Sequence, residues 1–134
     1  MSHEMMKAEE SASINASVGT TYIQGGIKRT VLQKTEYPEG YVVNCNIIEV
    51  PNGESASPHF HPGLEMTYVL EGEFDLVTRG KPDKRFEPGM SYMVKDCDVH
   101  FARVVGNKPI KLICIFINRE IDPVAKVVGQ PEAR

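Results

Sequence analysis

Cysteine is scarce and badly placed for a framework. Cys45, Cys97 and Cys114 are odd in number and form no CxxC pair. That excludes a disulfide scaffold or a cysteine-zinc site as the basis of the fold. Long apolar runs are also missing. The longest, Leu112–Ile117 and Tyr68–Leu70, fall far short of the ~20 residues that cross a bilayer. The opening MSHEMMKAEESAS lacks the apolar core of a secretory signal. No membrane partner is expected, and free thiols without a signal fit the cytoplasm. Positive charge is not in excess: 15 Lys and Arg stand against 18 Asp and Glu, and the basic residues are scattered. Nucleic acid is therefore not an expected partner. Finally, no stretch keeps a helical apolar period over three turns, and there is no internal repeat.

What is present points to one β domain. A chain of 134 residues can bury a single core without disulfide or metal, and 41% hydrophobic content excludes a largely disordered chain. Residues 1–20, rich in Ser, Ala and Glu, read as a flexible N-terminal arm or one that docks on a partner subunit. Residues 21–120 read as the domain, and 121–134 as a C-terminal tail that crosses the domain surface or a subunit interface. Within the domain, β-prone runs at Lys28–Gln33, Tyr41–Val50, Glu65–Leu70, Phe74–Thr78, Met90–Val94, Val99–Val105 and Ile110–Ile117 alternate with turns. The turns carry Pro, Gly and Asn, as in Pro51-Asn-Gly53 and Glu87-Pro-Gly89. Proline pre-sets a turn dihedral, and glycine and asparagine tolerate the left-handed region. Short strands so closely spaced predict an all-β sandwich or barrel rather than βαβ units.

Histidine carries the chemistry. His59, His61 and His100 lie among the strands, whereas His3 sits in the arm. On an extended strand, residues i and i+2 share a face at roughly 6.5–7 Å. Two imidazoles so placed can converge on one metal at about 2.0–2.2 Å. Pro58 and Pro62 flank the pair and Gly63 follows, so the chain bends and returns Glu65 toward the same centre. Three nitrogens and one carboxylate oxygen suit Fe, Mn or Ni, with Zn or Co as alternatives. The full pattern is Gly53, five residues, His59-x-His61, three residues, Glu65, six residues, Gly72. Five fixed positions at fixed spacings arise by chance on the order of once in ten thousand such chains.

This pattern resembles the first motif of the cupins, G(X)5HXH(X)3–4E(X)6G, and GESASPHFHPGLEMTYVLEG fits every fixed position. Their second motif, G(X)5PXG(X)2H(X)3N, aligns through Gly89 and His100, with Lys95, Cys97 and Val104 in place of its Pro, Gly and Asn. The likeness covers about Lys28 to Ile117 and is closest to small single-domain members carrying HPGxExxYVLEG. It implies a small antiparallel jelly-roll barrel with a metal inside, held by His59, His61, Glu65 and His100. It also implies a homodimer paired through outer sheets.

Strand alternation gives a lining. If His100 points inward, so do Ala102 and Val104; if Glu65 does, so do Thr67 and Val69. Lys111 facing water turns Leu112, Cys114 and Phe116 inward. On Tyr41–Val50, Asn44 and Asn46 fall on one face and Tyr41, Val43, Cys45 and Ile47 on the other, and the apolar face is expected to help line the pocket. Tyr41, Tyr68 and Tyr92 are either acid/base groups or packing residues, and Asp96 and Asp98 flank Cys97 on a loop. A mostly apolar pocket suits a small organic ligand. The expected activity is that of a metal-dependent enzyme, dioxygenase-like, on an enolate, diketone or catechol-like molecule. The alternatives are a sugar-acid isomerase or lyase, and a non-catalytic binding or sensing module. Glu65 is the candidate catalytic residue, expected to be the most mobile ligand and able to take a substrate proton.

Overall fold

The computed structural model describes residues 3–51 and 57–128. Gly53, the first fixed position of the histidine motif, lies outside them, as do the last residues of the tail. Strands β1 (Thr21–Gln24), β2 (Ile27–Thr35), β3 (Tyr41–Val50), β5 (Gly63–Glu71), β8 (Ser91–Val94) and β10 (Ile110–Arg119) form a six-stranded sheet in the order β1-β2-β3-β10-β5-β8. Strands β4 (His59–Phe60), β6 (Glu73–Thr78), β7 (Lys84–Phe86), β9 (His100–Val105) and β11 (Lys126–Val127) form a second sheet, β11-β4-β9-β6-β7. Every strand pair is antiparallel. The all-β double-sheet barrel expected from the sequence is therefore present.

The inner faces supply the core. Val50, Val69, Phe74, Phe86, Ile110, Leu112 and Phe116 are buried there. Phe74 and Phe86 stack at 5.8 Å, and each buried ring contributes about 2–3 kcal/mol through lost apolar surface. Inward positions along β9 run His100, Ala102, Val104, and Val104 lies across from Phe74. The histidines thus occupy one end of the barrel and the phenylalanine pair fills the other. Two glycines permit close strand contact. A Cβ on Gly63 would overlap the Ile117 carbonyl of β10. Gly72, at φ +87, would put one 2.5 Å from the Pro109 carbonyl oxygen.

The N-terminal arm departs from the expectation. Residues His3–Asn15 form a helix, α1, that packs on β1 and β11 of its own chain. Polar contacts fix it. The Val124 N–H donates to Ser13 Oγ at 2.7 Å, and the Gly25 N–H donates to Glu9 Oε1 at 3.3 Å. Lys34 donates to the Ala16 carbonyl just beyond the helix at 2.9 Å. A helix docked through polar groups needs no strong apolar stripe. The described part of the tail crosses the same chain's barrel and pairs β11 with β4.

Candidate metal centre

Backbone register brings the histidines together. β4 is only two residues long, and His59 on it lies directly across from His100 on β9. His61 follows immediately, between the strand and the turn at Pro62. Ring centroids are 5.0 Å apart for His59–His61, 4.5 Å for His59–His100 and 5.0 Å for His61–His100. One nitrogen from each ring lies within 4.8 Å of the other two, and all three side chains are buried.

Each ring is oriented by a backbone carbonyl. Nδ1 of His59 bonds the Ser57 carbonyl at 2.8 Å, Nδ1 of His61 the Val124 carbonyl at 2.9 Å, and Nδ1 of His100 the Asp98 carbonyl at 2.8 Å. A carbonyl can only accept, so each Nδ1 carries the proton and each Nε2 is left with a free lone pair. Outer partners of this kind fix a metal-binding histidine's tautomer and ring plane.

Glu65 comes from the opposite wall. It sits on β5 within the six-stranded sheet, between Phe116 of β10 and Val94 of β8. Its Oε1 lies 2.8 Å from His61 Nε2 and 3.3 Å from His100 Nε2. Neither Glu65 Oε1 nor His61 Nε2 has a hydrogen-bond partner, although both are buried. Burial, the largest influence, holds His59 and His61 below the ordinary imidazole value and so favours their neutral forms. A neutral His61 Nε2 facing a carboxylate oxygen is one lone pair against another, and a cation between them relieves the repulsion. Two donors each ~2.1 Å from one ion and at a right angle are about 3.0 Å apart. The observed separations bracket that value, so these residues fit a divalent metal.

The carboxylate is braced. The Thr67 hydroxyl makes a short hydrogen bond to Oε2, and the Cys114 thiol lies 3.8 Å from the same oxygen. Glu65 was expected to be the most mobile ligand, yet it sits on a continuous strand with its Oε2 held by Thr67. Burial would raise its pKa, but the facing imidazoles, when they carry a proton on Nε2, outweigh this and hold it well below the usual carboxylate range. Burial, reinforced by Glu65, pushes the Tyr92 phenol and the Cys114 thiol well up, so both remain protonated.

The wall around these groups was partly foreseen. Thr67, Val69, Ala102, Leu112, Cys114 and Phe116 are buried as expected. The β3 expectation is reversed: Val42, Asn44, Asn46, Ile48 and Val50 face inward, and Tyr41, Val43, Cys45 and Ile47 face out. Asn46 pairs with Cys114 of β10, so the sheet register leaves it no other face. Tyr41 and Tyr68 are exposed and cannot reach the centre, which leaves Tyr92 at the cavity. Cys97 and Asp96 are exposed, and Asp98 bonds Lys81 at the surface. Cys97 stands where the second motif carries glycine and adopts φ 63, the left-handed conformation glycine would take there.

One residue escaped the sequence reading. Arg29 of β2 is buried and lines the same narrow cavity of about 30 Å³, with the histidines, Glu65, Tyr92, Ile48 and Leu112. Its only signal was alternation: Ile27, Arg29 and Val31 share a face on which the two neighbours are core residues.

Two antiparallel sheets closed around an interior histidine cluster, with a carboxylate from the facing sheet, define a β-barrel protein with a metal-type centre. The family model for the cupin domain matches residues 46–116, over half of the chain. The chain belongs to the cupin family. It is 25% identical over 71 residues to L-ectoine synthase of Vibrio campbellii, which covers 53% of this chain and 56% of that protein. The chain thus matches about half the length of its curated relatives. Among solved structures, a cupin-like protein from Thermotoga maritima superposes with a TM-score of 0.64 at 18% identity, covering 87% of this chain and 89% of that one. A DMSP lyase from Ruegeria pomeroyi does so with a TM-score of 0.68 at 17% identity, covering 87% and 64%. At these identities the likeness is one of fold.

Proposed function

We propose that this chain is a metal-dependent enzyme holding a divalent transition metal on His59, His61, His100 and Glu65. In this reading it acts on a small organic molecule bound through oxygen, with dioxygen as co-substrate when the metal is iron. The observation that carries the reading is the convergence of bare Nε2 atoms and the unpartnered Glu65 Oε1. Three nitrogens and one oxygen suit Fe, Mn or Ni with coordination positions to spare, and Zn or Co less well. The metal would supply Lewis acidity and, if redox-active, a route to dioxygen.

The chain's own residues do the rest. The Ser57, Val124 and Asp98 carbonyls keep the three rings aimed inward. Ile27, Ile48, Leu112 and Phe116 exclude water, which strengthens the field on a developing negative charge. The narrow cavity favours a substrate of few atoms. A second reading, a lyase or isomerase needing no dioxygen, has its own support. Tyr92 stays protonated beside Glu65 and could give a proton to a carbanion or leaving group. A lyase among the structural neighbours adds to this support.

The test begins with metal analysis of protein purified without chelators. Oxygen uptake by iron-loaded protein is then measured with 1,3-diketones, catechols and 2-oxo acids. Oxygen consumption tied to loss of one compound supports the dioxygenase. Anaerobic turnover supports the lyase or isomerase. A protein that takes up no metal refutes both.

The outer faces support a homodimer. Arg85 and Arg103 pair with Glu73, Asp75 and Asp83 on the second sheet, which suits that face to water. The six-stranded sheet instead exposes Met66, Tyr68 and Met93 around Ile113 and Ile115. We propose that two copies pair through this apolar face. The unpaired thiols support a reducing compartment, the cytoplasm. No helix is long and apolar enough to cross a membrane among the described residues.

A further inference from the structure

Arg29 is a cation inside the barrel. It is 2% exposed, and among the described residues it makes no hydrogen bond or ion pair; its Nε is buried without a partner. It lies against a ring: the guanidinium carbon is 5.6 Å from the centroid of Phe116. The carboxylate in the cavity, Glu65, makes its contacts with His61, His100 and Thr67 instead. A buried cation without a partner is strongly disfavoured. Such a group is retained where something anionic completes it.

Position and chemistry narrow the ligand. Phe116 contacts both Arg29 and His61, with ring centroids 4.7 Å apart in the second contact. The guanidinium is therefore no farther from the His61 ring than these two short distances laid end to end. Both line the same cavity, with Ile48, Leu112 and Val50. A single planar fork of donors matches a carboxylate, which it can hold through two parallel hydrogen bonds. A phosphate would leave more oxygens facing apolar carbon than one arginine can satisfy. Charge agrees: a divalent metal with three neutral imidazoles and one carboxylate leaves net positive charge, and Arg29 adds to it.

We propose that Arg29 is the anion-binding group of this cavity and that its ligand is a small carboxylate whose second oxygen function points at the histidine cluster. The contact to the metal rests on the reading given under Proposed function; the contact to Arg29 does not. A 2-oxo acid carries both functions on adjacent carbons, so pyruvate is the probe and methyl pyruvate its uncharged control. Binding is measured by titration calorimetry on the metal-loaded and the metal-free protein, in a buffer without other carboxylates.

Pyruvate is expected to bind the wild type about tenfold or more tighter than the ester, as a lost charge-assisted pair implies. Arg29→Gln should erase that preference and leave metal content unchanged, while Arg29→Lys should keep part of it. Equal binding of pyruvate and its ester to the metal-loaded wild type, or no binding of either, overturns the inference without any variant. A variant that folds, holds metal and still prefers pyruvate overturns it as well. Arginine-dependent pyruvate binding in a protein that takes up no metal upholds the arginine's role and overturns only the metal centre.

Discussion

The two walls of the centre are built differently. Glu65 stands on a nine-residue strand inside the larger sheet, flanked by β10 and β8 and braced by side chains. The histidine wall has little sheet of its own. His59 has a two-residue strand, His61 has none, and His100 is the first residue of β9. Their orientation comes from carbonyls on loops and on the C-terminal segment. A ladder fixes the carboxylate by register, whereas loop carbonyls fix the imidazoles one at a time. The carboxylate wall should thus respond to changes in strand packing, and the histidine wall to distant contacts that hold its loops.

The joint between the walls is Gly63, and the largest effect is expected there. Gly63→Ala pushes a methyl group into the Ile117 carbonyl and drives β5 from β10. A loss of about 3 kcal/mol or more, read by chemical denaturation, would show that the walls share one rigid hinge point. Next come the donors. His61→Ala should lower metal affinity about a hundredfold or more, and Glu65→Gln about tenfold, because the amide keeps a carbonyl oxygen in place. Competition with a metal indicator separates them, and equal losses would erase the distinction between the walls.

Acid should also tell the walls apart in the metal-free protein. His59 and His61 have folded values below the ordinary 6.5, so the unfolded chain binds more protons below that pH. Stability should therefore fall as pH drops from 7 toward 5, by up to about 1.4 kcal/mol per unit for each histidine. Glu65, held low, keeps its contribution until far more acid conditions. Thermal melts that do not change over this range would contradict the neutral histidine wall. Ser13→Ala tests the distant contact. It removes the acceptor of the Val124 N–H, whose carbonyl orients His61. Metal affinity should fall about tenfold with little change in β-sheet circular dichroism. The smallest effect concerns the loop before His100. Cys97→Gly relieves a left-handed residue and should stabilise the protein by about 1 kcal/mol, seen as a higher Tm.

Much of this was legible in the sequence, for reasons that differ by element. The seven β-prone runs all contain strands, because each run is at least five residues long and most are bounded by Pro or Gly. The strands β1, β4, β7 and β11, of two to four residues, are too short to show a period. Helix α1 was missed because it docks through Ser13 and Glu9 rather than an apolar stripe. At the centre, His59, His61 and Glu65 share one motif with fixed spacing, and His100 falls in the second. Arg29 belongs to neither, and an isolated charge in an apolar series looks like a surface residue until its strand has two sides. The reversed faces of β3 have a related cause. Val43, Cys45 and Ile47 are apolar yet face outward, onto the surface proposed as the subunit contact.

The Val124 carbonyl also ties the centre to the order of synthesis. All four candidate donors leave the ribosome before residue 101, but the acceptor for the His61 N–H is made more than twenty residues later. Ser13, whose hydroxyl accepts from the N–H of the same residue, is made well before any of the donors. A nascent chain, or one cut short before Val124, carries every donor yet leaves one imidazole free to swivel. The candidate centre is therefore ordered in full only once Val124 has been made.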